Sequence, residues 1–161
     1  DLSIRLVRQG KVDESAGVAA TLLAGVAQTI AGPERERWLG GDRKALAADG
    51  DQPIAGSRFL FLATTLQKLV LGLWPFWGDG EGELRYLDID APPRRIAAAL
   101  PAVVRGRPRP WMHAAGYRSG RSRVLDLELT EPFVIDGEHF EPGPGGRVRI
   151  RSGPTYDFIV P

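Results

Sequence analysis

Turn-forming residues recur so closely in the last third of this chain that no long helix fits between them. Glu131-Pro132 breaks one segment, Asp136-Gly137 is a two-residue hairpin dipeptide, and residues 142–146 are a glycine-proline turn. What lies between is short and alternating. Residues 123–129 read RVLDLEL, 133–135 read FVI, and 147–151 read RVRIR. Alternation of apolar and polar residues is the period of a half-buried strand. Several such strands at close spacing imply an antiparallel sandwich or barrel. Chain-wide use of 20 glycines and 13 prolines agrees, since both residues work against long helices.

Upstream the pattern is looser. Residues 2–8 (LSIRLVR) alternate like a strand, and Ser15 can cap a helix that Gly32-Pro33 stops. Residues 34–39 are a short charged helical turn. Residues 44–49 and 57–65 read as strands flanking a turn-rich 50–56, and residues 83–90 (ELRYLDID) as a strand with Leu84, Tyr86, Leu87 and Ile89 mostly on one side. Residues 94–105 form a second helix, which Pro101 can kink and Gly106 can end. The expected fold is mainly β with some α, an antiparallel β-sandwich with two inserted or flanking helices. Residues 1–40 are expected to add a strand and a helix, and residues 41–161 to form the β-sandwich domain. No internal repeat or low-complexity tail interrupts it.

Composition narrows the chemistry. There is no cysteine, which excludes a disulfide framework, a thiolate metal site and a cysteine nucleophile. Two histidines, His113 and His139, are too few for an all-histidine zinc site. The longest charge-free stretch, residues 15–33, carries Ser, Thr, Gln and Gly, and reads as a buried or interfacial helix rather than a membrane span. The net charge of +1 hides a segregation: residues 91–125 hold eight arginines and no acid. The chain starts at Asp1 and its single methionine is Met112, so it is expected to be part of a longer chain.

Four local constellations could carry function. Gly40-Gly41-Asp42 suggests a phosphate loop, but Arg43-Lys44 and a strand pattern follow it, so it reads as a plain turn. No GxxxxGK[ST] or GxGxxG occurs. Residues 69–78 (LVLGLWPFWG) hold Trp74, Phe76 and Trp77 without a charge; they read either as a loop folded on the core or as a lipid-facing rim. Arg105, Arg107 and Arg109, inside the basic segment, would complement that rim at phosphate or an anionic surface, or else form a solvated face. Asp79, Glu81 and Glu83 alternate with glycines at 78–83, a turn suited to a hard cation such as Mg²⁺ or to plain solvent. Asp136 and Glu138, on the hairpin, could hold a carboxylate in place as a general base, or be purely structural.

Two stretches together resemble the C-terminal domain of the bacterial diacylglycerol kinase family, which includes sphingosine kinases and is distantly related to NAD kinases. One is FLFLATTLQKLVLGLWPFWGDGEGELRY followed by an arginine-rich helix ending in VVRGR. The other is PFVIDGEHFEP followed by a basic strand and a final strand. The resemblance covers residues 57–161. It implies a β-sandwich closing over the cleft of an N-terminal α/β domain that carries a GGDGT nucleotide loop. It implies Asp136 as general base on a lipid hydroxyl, with Glu138 supporting the site or its metal. The GGDGT loop does not occur in this chain, and where the family has a DDG-x-L-D metal loop this chain reads Gly80-Glu81-Gly82-Glu83-Leu84-Arg85.

The resemblance therefore implies the lipid-substrate side of an ATP-dependent lipid kinase. Its partners are a nucleotide-binding domain, a lipid and an anionic membrane surface, and its place is cytoplasmic, peripheral at the inner membrane face. ATP and Mg²⁺ belong to the full-length enzyme; the isolated chain is expected to be inactive. The alternative is a non-catalytic β-sandwich that binds an anionic membrane or a protein. Nucleic acid is disfavoured by the net charge of +1 and by the absence of an RNA-binding signature.

Overall fold

Eight short strands and two helices make up the computed structural model, which describes residues 42–67, 69, 73–135 and 138–153. The strands are β1 (Asp42–Ala48), β2 (Ile54–Thr64), β3 (Leu84–Asp90), β4 (Tyr117–Ser122), β5 (Val124–Leu129), β6 (Phe133–Ile135), β7 (Glu138–Phe140) and β8 (Arg147–Arg151). The helices are α1 (Ile96–Val104) and α2 (Pro110–Ala114). Six strands form one sheet in the order β4-β3-β2-β1-β5-β8, and β6-β7 is a separate hairpin. All pairings are antiparallel. The chain is thus mainly β with some α. The strand and helix expected within residues 1–40, the interfacial helix at 15–33, and the final strand lie outside the described residues.

The connection from β4 to β5 dictates the shape of the sheet. Only Arg123 separates them, yet β3, β2 and β1 stand between them in the strand order. In a flat sheet four steps of ~4.8 Å would hold them about 19 Å apart. Two residues of extended chain reach about 7 Å. The sheet must therefore curl until its β4 side meets its β5 side at that corner. The buried Ser122 pins the corner by donating its hydroxyl to the Val124 carbonyl at 2.6 Å. Asp49, at the end of β1, accepts from the Arg123 and Val124 backbone N–H groups at 2.8 and 2.9 Å. Among the described residues six strands make one curled sheet and the other two a separate hairpin.

The inside of the curl is one of two cores: Leu46, Leu84, Leu125, Leu127 and Leu129, with Phe61, Ala63, Tyr86, Phe133, Val148 and Ile150 packed against them. The outside of β3 and β4 carries the other: Leu87, Ile89 and Tyr117 beneath Phe76, Ala99, Ala102, Val103 and Met112. Small residues let α1 lie close to the sheet. β3 is therefore covered on both faces, and period two puts Leu84 and Tyr86 opposite Leu87 and Ile89. This corrects the one-sided reading of residues 83–90. Three further boundaries differ from the sequence reading: β2 begins at Ile54, inside the expected turn, and α2 and β4 occupy a stretch read only as basic.

Candidate functional site

The hairpin that carries the candidate general base stands apart from the main sheet. Its register pairs Phe133 with Phe140, Val134 with His139 and Ile135 with Glu138. The Phe133 and Phe140 rings stack with centroids 5.9 Å apart. Glu138 is exposed on β7 beside Ile135. Asp136 and Gly137 lie outside the described residues. Val134, Ile135 and Phe140 are large apolar side chains left exposed on the same hairpin.

The acidic loop owes its three glycines to packing. Gly78, Gly80 and Gly82 all have positive φ, and a methyl group on any of them would overlap backbone at Ser119, Arg121 or Ser122 respectively. The loop thus lies flat along β4, where Arg121 Nε donates to the Gly82 carbonyl at 3.0 Å. The alternate residues, Asp79, Glu81 and Glu83, are exposed. Glu81 pairs with Arg123. Among the described residues no three acidic or histidine side chains converge on a point that could hold a metal ion.

The aromatic run divides. Phe76 is 5% exposed and belongs to the outer core, so it does not form part of a lipid-facing rim. Trp74 and Trp77 are half-buried at the edge of that core. The Trp74 N–H donates to the Val104 carbonyl at the end of α1 at 3.0 Å, and the Trp77 N–H donates to the Ser119 hydroxyl at 3.0 Å. The Arg85 guanidinium sits 5.2 Å from the Trp74 ring centroid. Arg105, Arg107 and Arg109 are all exposed, beyond α1 and before α2. The structure therefore brings Trp74 beside the end of α1 that Arg105 and Arg107 follow. Nothing among the described contacts joins these residues to Glu138 or to the acidic loop.

The most tightly built polar cluster was not anticipated. Arg58 on β2, Asp88 and Asp90 on β3, and Arg118 on β4 form a four-charge network facing the inside of the curl. Arg58 is 3% exposed and Asp88 is 0% exposed. A β-bulge between Arg58 and Leu60 puts Arg58 there. Leu60 pairs with Ile89 on the helix side, whereas Arg58 pairs with Asp90 on the opposite side. Arg58 Nη1 lies 2.9 Å from Asp90 Oδ1, and its Nη2 donates to the Ile54 carbonyl at 2.6 Å. Its Nε lies 2.8 Å from Asp88 Oδ1 without the alignment of a hydrogen bond, so that attraction is Coulombic. Arg118 Nε donates to Asp88 Oδ2 at 3.0 Å, and Arg118 also pairs with Asp90.

Burial raises the Asp88 pKa, although Arg58 and Arg118 both pull it down. Burial works against the charge on Arg118, but the hydrogen bond it donates to Asp90 and the charge of Asp88 outweigh it and raise that pKa. On the other side of β3, burial pushes the Tyr117 phenol up to about 12, and its hydroxyl donates to the Arg94 carbonyl at 2.7 Å. No period or motif flags the network, because Arg and Asp on a strand ordinarily mark the solvent face. The network is electrically balanced, two cations against two carboxylates, so it acts as a structural clamp joining β2, β3 and β4.

A recess open to solvent lies elsewhere again. It measures about 460 Å³ and lies on the outer face of β1, β5 and β8, with Ala45 and Ala47 on its floor. Its charges are spent on cross-strand pairs, Asp126 with Arg149 at 2.6 Å and Glu128 with Arg147 at 3.8 Å. None of the sequence-predicted site residues lines it.

No family model, no curated protein and no solved structure matches this chain. Among the described residues no helix is long and apolar enough to cross a membrane.

Proposed function

We propose that this chain is the lipid-substrate side of an ATP-dependent lipid kinase of the diacylglycerol kinase type, working at the inner face of the membrane from the cytoplasm. The observation that carries the reading is the β6-β7 hairpin. The flanks of the Asp136-Gly137-Glu138 segment pair in register, apart from the six-stranded sheet. A short hairpin that shares no ladder with the main sheet can present a carboxylate to a cleft made by a second domain. Asp136 takes the proton of the lipid hydroxyl as that oxygen bonds to the γ-phosphorus. The bond from that phosphorus to the bridging oxygen breaks, and ADP leaves. Glu138 supports the position of Asp136. ATP is held by a nucleotide-binding domain that precedes these residues in the longer chain. Asp79, Glu81 and Glu83 do not form a metal cage, so this reading takes no step through a metal on that loop.

In the full-length enzyme Asp136→Asn is expected to lower lipid phosphorylation by roughly a hundredfold to ten-thousandfold, the usual contribution of a general base, or to abolish it. Lipid binding by the same variant should persist. Near-normal turnover would remove Asp136 from the mechanism, and phosphorylation by residues 1–161 alone would overturn the division of labour between domains.

A further inference from the structure

We infer that the outer surface of the two helices, with Arg94, Arg95, Arg105, Arg107 and Arg109 around Trp74 and Trp111, docks on an anionic lipid bilayer. The inference rests on the lipid reading above and names the surface that meets the lipid.

The arginines differ in how they are paired. On the sheet, Arg58, Arg118, Arg123, Arg147 and Arg149 each have a carboxylate partner, whereas among the described residues Arg85, Arg121 and Arg151 have none. Around the helices, Arg94, Arg95, Arg105, Arg107 and Arg109 are exposed, and none has a carboxylate partner among the described residues. Charge mostly neutralised on the sheet and wholly open around the helices is a directed field, which attracts a surface of opposite sign. Sequence alone shows eight arginines at 91–125; the fold gives carboxylates to Arg118 and Arg123 and to none of the five around the helices.

The geometry makes the unpaired ones a single surface. Ala99, Ala102 and Val103 hold α1 down on Leu87 and Ile89, so its outer side carries Ala97, Ala98 and Pro101 to solvent. Arg94 and Arg95 stand at one end of this nine-residue helix and Arg105 and Arg107 at the other, which separates the two pairs by roughly 15 Å. A tryptophan accompanies each end. Arg95 lies 5.6 Å from the Trp111 ring centroid on α2. Trp74 is hydrogen-bonded to the last turn of α1 and carries Arg85 on its ring. Leu62, on the helix-side face of β2 opposite Leu87, and Leu66, just beyond that strand, are exposed apolar side chains.

Two features favour a bilayer over a nucleic acid. Guanidinium groups already occupy faces of Trp74 and Trp111, where bases would otherwise stack. The surface also pairs arginine with half-buried tryptophan and exposed leucine, a combination suited to the boundary between headgroups and acyl chains.

The test is co-sedimentation of the 161-residue chain with vesicles of phosphatidylcholine alone, or with one-third phosphatidylglycerol. Binding is expected only to the anionic vesicles, and it should weaken as salt rises. Each arginine at an anionic surface contributes on the order of fivefold in affinity, so Arg105→Gln/Arg107→Gln/Arg109→Gln should weaken binding about 100-fold. The triple Arg123→Gln/Arg147→Gln/Arg149→Gln removes equal charge from paired positions and should weaken it by less than about fivefold. Lysine at 105, 107 and 109 should restore most of the binding, which separates charge from folding. Equal losses in the two glutamine triples would overturn the assignment to this surface. Equal binding to neutral vesicles would overturn the electrostatic basis. Salt-sensitive binding to an oligonucleotide with none to vesicles would overturn the lipid. No arm depends on turnover, so a failed kinase assay leaves this result standing and a failed docking assay leaves the kinase reading standing.

Discussion

Replacing Arg58 by methionine should unfold this protein more readily than any surface arginine change. The side chain is almost fully buried and holds three partners: the Asp88 charge at 2.8 Å, Asp90 at 2.9 Å and the Ile54 carbonyl at 2.6 Å. Methionine fills similar space but leaves Asp88 buried with Arg118 as its remaining cation. Removing one member of a buried ion pair costs about 3–5 kcal/mol, because the orphaned charge stays out of water. At about 2–4 °C per kcal/mol for a chain of this length, the melting temperature should fall by roughly 10 °C. Two controls make the reasoning specific. Arg58→Met/Asp88→Leu removes both charges and leaves Arg118 with Asp90, so it should cost less than Arg58→Met alone. The loss should also depend on pH. The folded-state pKa of Asp88 is raised above 3.8 by burial, and losing Arg58 raises it further. A raised pKa means the folded state binds the extra proton first, so stability is gained as pH falls through that pKa and lost as it rises. The deficit of Arg58→Met should therefore be larger at pH 7 than at pH 4.5, as read from urea midpoints. A deficit under about 1 kcal/mol, one that does not change with pH, or a double variant that costs the sum of the singles would refute the clamp.

Asp49 gives the opposite pH signature. Burial raises its pKa, but the Val124 and Arg123 N–H groups, with the Ser122 hydroxyl and the Arg123 charge, together outweigh this and lower it, so its stabilisation is present above pH 3.8 and lost as pH falls through the depressed value. Asp49→Ala should cost about 1–2 kcal/mol at pH 7 and progressively less in acid, as read from urea midpoints over pH 2–7. Gly80→Ala should cost about 3 kcal/mol or more, since its methyl would meet the Arg121 carbonyl at a positive φ. Gly50→Ala, also at positive φ but in open space, should cost only about 1 kcal/mol; equal losses in thermal melts would show that overlap with β4 is not what the loop glycines avoid.

Strands were legible where one face is buried and the other wet. RVRIR at 147–151 is β8 residue for residue, and the segments on either side of Asp136-Gly137 pair with each other as β6 and β7. The candidate site was less legible. Exposure of Glu138 and of Arg105, Arg107 and Arg109 matches their residue types, whereas Phe76 had to be placed to be seen as core. Helix α2 was missed because five residues, one of them proline, contain too little of a 3.6-residue period to register.

Strand positions, turns and the segregation of arginine are local properties, written in periods of two and in runs of like charge, and they can be read from the chain alone. The curl, the Arg58 clamp and the pairing of the arginines are long-range properties. They depend on which strand lies beside which, and a one-residue bulge is enough to turn Arg58 from one face of the sheet to the other. A charge pattern says how much arginine there is; only the packed sheet, by giving five of them carboxylate partners, leaves the helix side positive.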